Sequence, residues 1–157
     1  MKPEASLQQV SAEALLPFLI ELLSEGKTVN MTVTGNSMLP LFRSGIDSVI
    51  LARPETIRKF DIVLYVQTSG KAILHRVVKC RRTGYMIVGD NQIELDGPID
   101  RHQIKAVVTG FCRGGKVYSA KIWWSRLYGF VWGHGRLVRP LLLPLVRLGK
   151  YIVRRTK

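Results

Sequence analysis

Ser37 stands in a short glycine-led segment, Gly35-Asn36-Ser37-Met38-Leu39-Pro40, and His75 follows an apolar run, Ala72-Ile73-Leu74. Two acids come after them, Asp90 in Gly89-Asp90-Asn91 and Asp96 in Asp96-Gly97-Pro98. A serine hydroxyl is a poor nucleophile until a neighbouring base takes its proton. An imidazole, with an ordinary pKa of about 6.5, takes that proton at neutral pH. A carboxylate bonded to the other ring nitrogen fixes the tautomer and steadies the imidazolium. Gly35 permits a backbone conformation closed to other residues, and the Ser37 N–H is a donor for a developing oxyanion. These are the residue types of nucleophilic acyl transfer. Singly, each has an ordinary structural reading: a loop serine, a strand histidine, aspartates in two turns. Both acids are available to His75 on spacing alone.

Their order and surroundings resemble the signal peptidase I superfamily, which includes the LexA-type self-cleaving repressors. Ser37-Met38-Leu39-Pro40 is similar to the family's Ser-Met-x-Pro nucleophile box, and Asp61-Ile62-Val63-Leu64-Tyr65 to the strand after it. Many bacterial members place a lysine base in the next box. His75-Arg76-Val77-Val78 looks like the endoplasmic-reticulum and archaeal branch instead, as does Gly89-Asp90-Asn91 with a further Asp six residues on. The resemblance covers roughly residues 30–112. It implies a Ser37 nucleophile, a His75 base and Asp96 as its partner, with Asp90 and Gly35 supporting the site. Met38 and Pro40 would lie beside the substrate cleft. The substrate implied is an extended peptide bound along a strand edge, with small residues before the cleaved bond, and no metal or organic cofactor. Leu95 stands where the family often doubles the acid. The order Ser…His…Asp differs from those of chymotrypsin, subtilisin and the α/β-hydrolases. Arg76 reads as half of a structural ion pair. Lys71 and Lys79 lie within four residues of His75, but neither holds the base position, which disfavours a Ser–Lys mechanism.

The elements that must position these residues are mostly strands. Val29, Met31 and Val33 alternate with polar neighbours, and Val49-Ile50-Leu51, 61–66, 72–78, 85–88, 104–111 and 116–118 follow. Arg43-Ser44-Gly45, Thr68-Ser69-Gly70, Arg82-Thr83-Gly84 and Arg113-Gly114-Gly115 mark turns. Gly89-Asp90-Asn91 reads as a hairpin turn into a strand at 93–95, and Asp96-Gly97-Pro98 as another turn. The expected fold is mainly β, a signal-peptidase-like coiled antiparallel sandwich or barrel. Ahead of it, residues 6–24 predict an amphipathic helix with Leu7, Val10, Ala14, Leu15, Phe18, Leu19, Leu22 and Leu23 on its apolar face, ended by Gly26. The expected organisation is a helix over 1–27, a catalytic β domain over 28–119 and a basic amphipathic extension over 120–157.

The net charge of +13 sits in the C-terminal third of the chain. Residues 1–100 carry 11 Lys/Arg against 11 Asp/Glu, while residues 101–157 carry 13 Lys/Arg and no acid. Trp124, Leu127, Tyr128, Val131, Val138, Leu142, Leu145 and Ile152 fall on one helical arc and Arg126, Arg136, Arg139, Arg147, Lys150 and Arg154 on the other. Such a stretch suits an anionic membrane surface. Gly129, Gly133, Gly135, Pro140 and Pro144 break any single helix, and its uncharged runs are too short to span. The N-terminal segment, broken by Glu4, Glu13, Glu21 and Pro17, reads as neither a secretory signal nor a span. The expected location is cytoplasmic or peripheral at the cytoplasmic membrane. Cys80 and Cys112 are expected as buried, reduced thiols, and the scattered His75, His102 and His134 make no metal motif. Two other classes fit the chain: a non-catalytic peptide-binding module on the same fold, and a LexA-like self-cleaving regulator. The second is disfavoured, as is nucleic acid as a partner, because one short N-terminal helix does not make a helix-turn-helix.

Overall fold

The computed structural model describes residues 12–120. It is mainly antiparallel sheet with one N-terminal helix. Helix α1 covers Ala12–Ser24, and the strands are β1 Val29–Thr32, β2 Ser48–Ala52, β3 Ile62–Val66, β4 Ala72–Arg81, β5 Gly84–Val88, β6 Asp96–Ile99, β7 Ile104–Arg113 and β8 Lys116–Ser119. The strand order is β1-β2-β7-β3-β4-β5-β6, with β8 also on β7. β7 is long enough to serve three partners: it pairs with β2 on one side, and with β3 near its start and β8 near its end on the other. β1 and β6 are not paired to each other, so the sheet stays open and no barrel closes.

β3 lies in the middle of the sheet. Successive strand side chains point to opposite faces. Ile62 and Leu64 pack in one apolar cluster with Leu51, Met38 and Phe42, and Val63 and Tyr65 in another with Val77, Ile87 and Ile104. Both faces of the central strand are therefore covered, which is why its sequence is an unbroken apolar run.

α1 covers the first cluster with Leu19 and Leu23, and with Leu16 half-buried. The expected helix face is shifted. Leu15 and Phe18, expected inward, are exposed. A helix this rich in leucine carries two adjacent stripes with the same spacing, and only packing chooses between them. Gly26, at φ 79°, ends the helix, and the Lys27 N–H returns to the Leu22 carbonyl at 3.1 Å.

Three local expectations are corrected. Residues 93–95 form no strand, and Asp96-Gly97-Pro98 lies within β6 rather than in a turn. Cys80 is exposed and Cys112 half-buried, both as free thiols. The expected start of the helix at residues 6–11 and the basic arc at 121–157 lie outside the described residues. Among the described residues, no helix is long and apolar enough to cross a membrane.

Candidate active site

His75 lies on β4, where the register sets it opposite Val63 of β3. Cross-strand partners share a face. The same face continues through Val77, paired with Ile87 of β5, and Ile87 is paired with Asp96 of β6. Asp96 thus rises on the imidazole side of the sheet, and its Oδ2 lies 2.8 Å from His75 Nδ1. A carboxylate only accepts, so the imidazole donates through Nδ1 and leaves the Nε2 lone pair open.

Nε2 is turned towards Gly89. A methyl group placed on Gly89 would sit 3.0 Å from Nε2 and 2.7 Å from the Ser37 carbonyl oxygen. The serine segment and the imidazole therefore meet over a bare glycine backbone. Two hydrogen bonds tie the segment to the same turn: the Asn91 N–H donates to the Ser37 carbonyl at 2.7 Å, and Asn91 Nδ2 to the Asn36 carbonyl at 3.1 Å. Ser37 itself is half-buried.

The loop that carries Ser37 joins β1 to β2. Gly35 adopts φ 80° with open space in front of its Cα, so its glycine answers to backbone conformation and not to crowding. Met38 and Phe42 anchor the loop in the larger apolar cluster, and Pro40, half-buried, follows a cis Leu39–Pro40 bond. Met38 is 1% exposed, so it faces the interior and not an open cleft wall. At the far end of the loop, buried Asp47 takes Arg43 Nη2 at 2.8 Å and Arg113 Nη2 at 3.0 Å. Arg113 also donates to the Leu41 carbonyl.

The two acids divide between two partners. Asp90 accepts both Nε and Nη2 of Arg76 at 2.8 Å, and neither side chain of that pair is exposed. Arg76 Nη1 further donates to the carbonyl of Phe60, a residue held at φ 77°. The structural ion pair expected for Arg76 is present, and Asp90 is its anion. Asp90 therefore stiffens the turn on which Ser37 rests, while Asp96 contacts the imidazole.

Burial pushes the His75 pKa below its ordinary 6.5. The Asp96 hydrogen bond and charge oppose that shift, Asp90 opposes it at longer range, and Lys71 adds to it. The net result is a neutral imidazole at neutral pH, the form able to accept a proton.

Several residues of this neighbourhood were not visible as site residues in the sequence. Tyr65, at the end of an apolar strand, donates its hydroxyl to Asp96 Oδ2 at 2.7 Å. Gln92 sets its Oε1 2.7 Å from the methyl position on Gly89. Asp47 had a local signal, its four-residue spacing from Arg43, but Arg113 lies 66 residues away. A hollow of about 560 Å³ is lined by Arg53, Arg58, Lys59 and Phe60 among others, and contains none of Ser37, His75 or Asp96. The chemistry-bearing cluster lies apart from it. Among the described residues, no three His, Cys, Asp or Glu side chains gather as a metal-ligand set.

An open antiparallel sheet bearing a serine segment, a buried histidine and a bonded aspartate is an arrangement suited to acyl transfer. The chain is similar to Signal peptidase I W of Bacillus subtilis (strain 168), 30% identical over 95 residues, which cover 55% of this chain and 48% of that protein. It spans about half the length of the curated relative it matches. No family model matches the chain. The similarity supports a signal peptidase I-like relationship.

Proposed function

We propose that the protein is a serine endopeptidase of signal peptidase I type that uses histidine as its base. Ser37 is the nucleophile, His75 the general base and Asp96 the residue that orients it. The observation that carries this reading is the position of His75: Nδ1 is held by Asp96 while Nε2 faces the Ser37 segment across Gly89. The signal peptidase relative and the Ser-Met-x-Pro segment support the same reading.

In the proposed reaction the Ser37 hydroxyl attacks a peptide carbonyl and its proton passes to His75 Nε2. The tetrahedral oxyanion is met by the Ser37 N–H. The C–N bond then breaks, and the imidazolium returns its proton to the leaving amine. An ester remains on Ser37. Water attacks that ester as His75 removes a proton from it, and the acid product leaves as Ser37 regains its hydrogen. Buried Met38 and neighbouring Pro40 set the course of the backbone beside the nucleophile, where an extended peptide binds. The substrate class is a leader, signal or precursor peptide. The protein works in the cytoplasm or at the membrane surface, drawn to anionic lipid by residues 120–157. Removal of residues 120–157 should then abolish partitioning onto anionic vesicles, and unchanged partitioning would refute the role of the tail.

The test is N-terminal peptide mapping of the host proteome with the wild-type protein and with Ser37→Ala. Mature N-termini present only with wild type would establish the peptidase and show its cleavage motif. No difference, with both proteins expressed and folded, would replace this reading with a peptide-binding module on the same fold.

A further inference from the structure

Tyr65 is fully buried among Val63, Val77, Ile87, Ile99 and Ile104. Phenylalanine would fill that space as well. What the tyrosine adds is a hydroxyl, and it donates at 2.7 Å to the same Asp96 oxygen that holds His75 Nδ1 at 2.8 Å. The phenol and imidazole rings lie 6.1 Å apart, inclined at 52°. Asp96 itself is on the outermost paired strand and its side chain is 31% exposed, so water competes for it.

We propose that Tyr65 is a positioning residue that locks the Asp96 carboxylate onto His75. This deepens the assignment of His75 as the base and rests on it. A donor mounted on the covered central strand has no freedom to move, so it transfers the rigidity of the core to an acid on the sheet edge. It has a second consequence. An oxygen that accepts two hydrogen bonds pulls less strongly on the imidazolium than one that accepts a single bond. Tyr65 therefore keeps the base neutral while holding it in line. Burial, and then the Asp96 hydrogen bond and charge, push the phenol well above its ordinary pKa of 10, with a weaker opposing contact from Gln67, so it remains a donor across the working range. The charged groups that act on His75 are Asp96 on β6, in contact with the ring, and at longer range Asp90 in the turn after β5 and Lys71 before β4.

The experiment is a pH titration of the His75 ring nitrogens by NMR on the full chain labelled with 15N-histidine. Wild type is compared with Tyr65→Phe, with Asp96→Asn and with 3-fluorotyrosine placed at position 65. The expected result is a higher His75 midpoint in Tyr65→Phe and a lower one in Asp96→Asn. Fluorotyrosine, a stronger donor of nearly the same shape, should lower the midpoint, and it carries the test if Tyr65→Phe does not fold. Cleavage of a leader peptide by Tyr65→Phe should fall about tenfold in kcat with KM unchanged, the pattern of a group that acts only on the reacting geometry. A His75 midpoint and tautomer unmoved by both changes at Tyr65 would overturn the proposal. Ser37→Ala in the same cleavage assay keeps the two ideas apart: retained cleavage refutes the peptidase, whereas an unmoved His75 refutes the role of Tyr65.

Discussion

His75 and Arg76 are consecutive on one strand yet serve opposite faces of the sheet, and each takes a different aspartate. His75 Nδ1 bonds Asp96 on the second-cluster side, at 2.8 Å. Arg76 bonds Asp90 through two nitrogens on the other side. The alternation of a strand thus separates an imidazole's orienting contact from the buried charge pair that supports it. Asp90 and Asp96, six residues apart in sequence, therefore do different work.

Substituting the two acids should give opposite phenotypes. Asp90→Ala leaves the Arg76 charge buried without its anion, and should cost about 3–5 kcal/mol of stability. Asp96→Asn should lower leader-peptide cleavage roughly a thousandfold or more while leaving the unfolding midpoint nearly unchanged. Urea titration and kinetics on both variants decide it. A stable Asp90→Ala or an active Asp96→Asn contradicts the division.

Gly89→Ala is a test of the meeting point between Ser37 and His75. The obstacle is space alone, since Gly89 is not among the glycines of positive φ. The added methyl would press the Ser37 carbonyl at 2.7 Å and His75 Nε2 at 3.0 Å. Stability should fall by about 1–3 kcal/mol. The kcat should fall about a hundredfold, because a shift of an ångström at reacting groups has that effect. Wild-type kcat in a folded Gly89→Ala protein would show that the two groups do not work together.

The pH dependence follows from the lowered pKa of His75. In the folded protein the ring stays neutral below its ordinary 6.5, so the acid limb of kcat/KM should fall below that value. Stability moves in the same sense. The unfolded chain binds the proton first, so the contribution of neutral His75 is intact above pH 6.5 and declines as pH falls below it. His75→Gln should remove that part of the stability profile and abolish cleavage. An acid limb centred above 6.5 would contradict the burial argument.

Asp47 should govern acid stability at lower pH. The hydrogen bond from Arg43, with further help from Arg113, holds its carboxyl far below the ordinary 3.8. Its contribution is therefore present above pH 3.8 and lost as pH falls below it. Asp47→Asn should lower stability at neutral pH by about 1–3 kcal/mol and flatten the acid limb of unfolding. The measurement is thermal melting from pH 2 to 7. Parallel curves for the two proteins would exclude Asp47 as the titrating group.

Much of the fold was legible because strand signals are local. The apolar run of β3, the alternation of β1 and the turn residues between strands each report their state within a few positions. The expected strand at 93–95 failed for a local reason too: the turn chemistry at Gly89-Asp90-Asn91 is real, but the chain runs on to Asp96 before pairing with β5. The helix face was misread because two leucine stripes share one spacing, and only contact with the sheet distinguishes Leu19 and Leu23 from Leu15 and Phe18.

The sequence by itself determined the cast of the candidate site: a serine behind a glycine, a strand histidine, and two acids at fixed spacing. Spacing alone left both acids available to His75, and only the family resemblance favoured Asp96. Only the tertiary structure decided that Asp96, 21 residues from His75, bonds the imidazole, that Asp90 belongs to Arg76, and that Tyr65 joins them. The physical reason is register. Which side chains share a face across β3, β4, β5 and β6 depends on how the strands align, including the register shift between β5 and β6, and a slip of one residue would turn every one of these groups to the other side of the sheet.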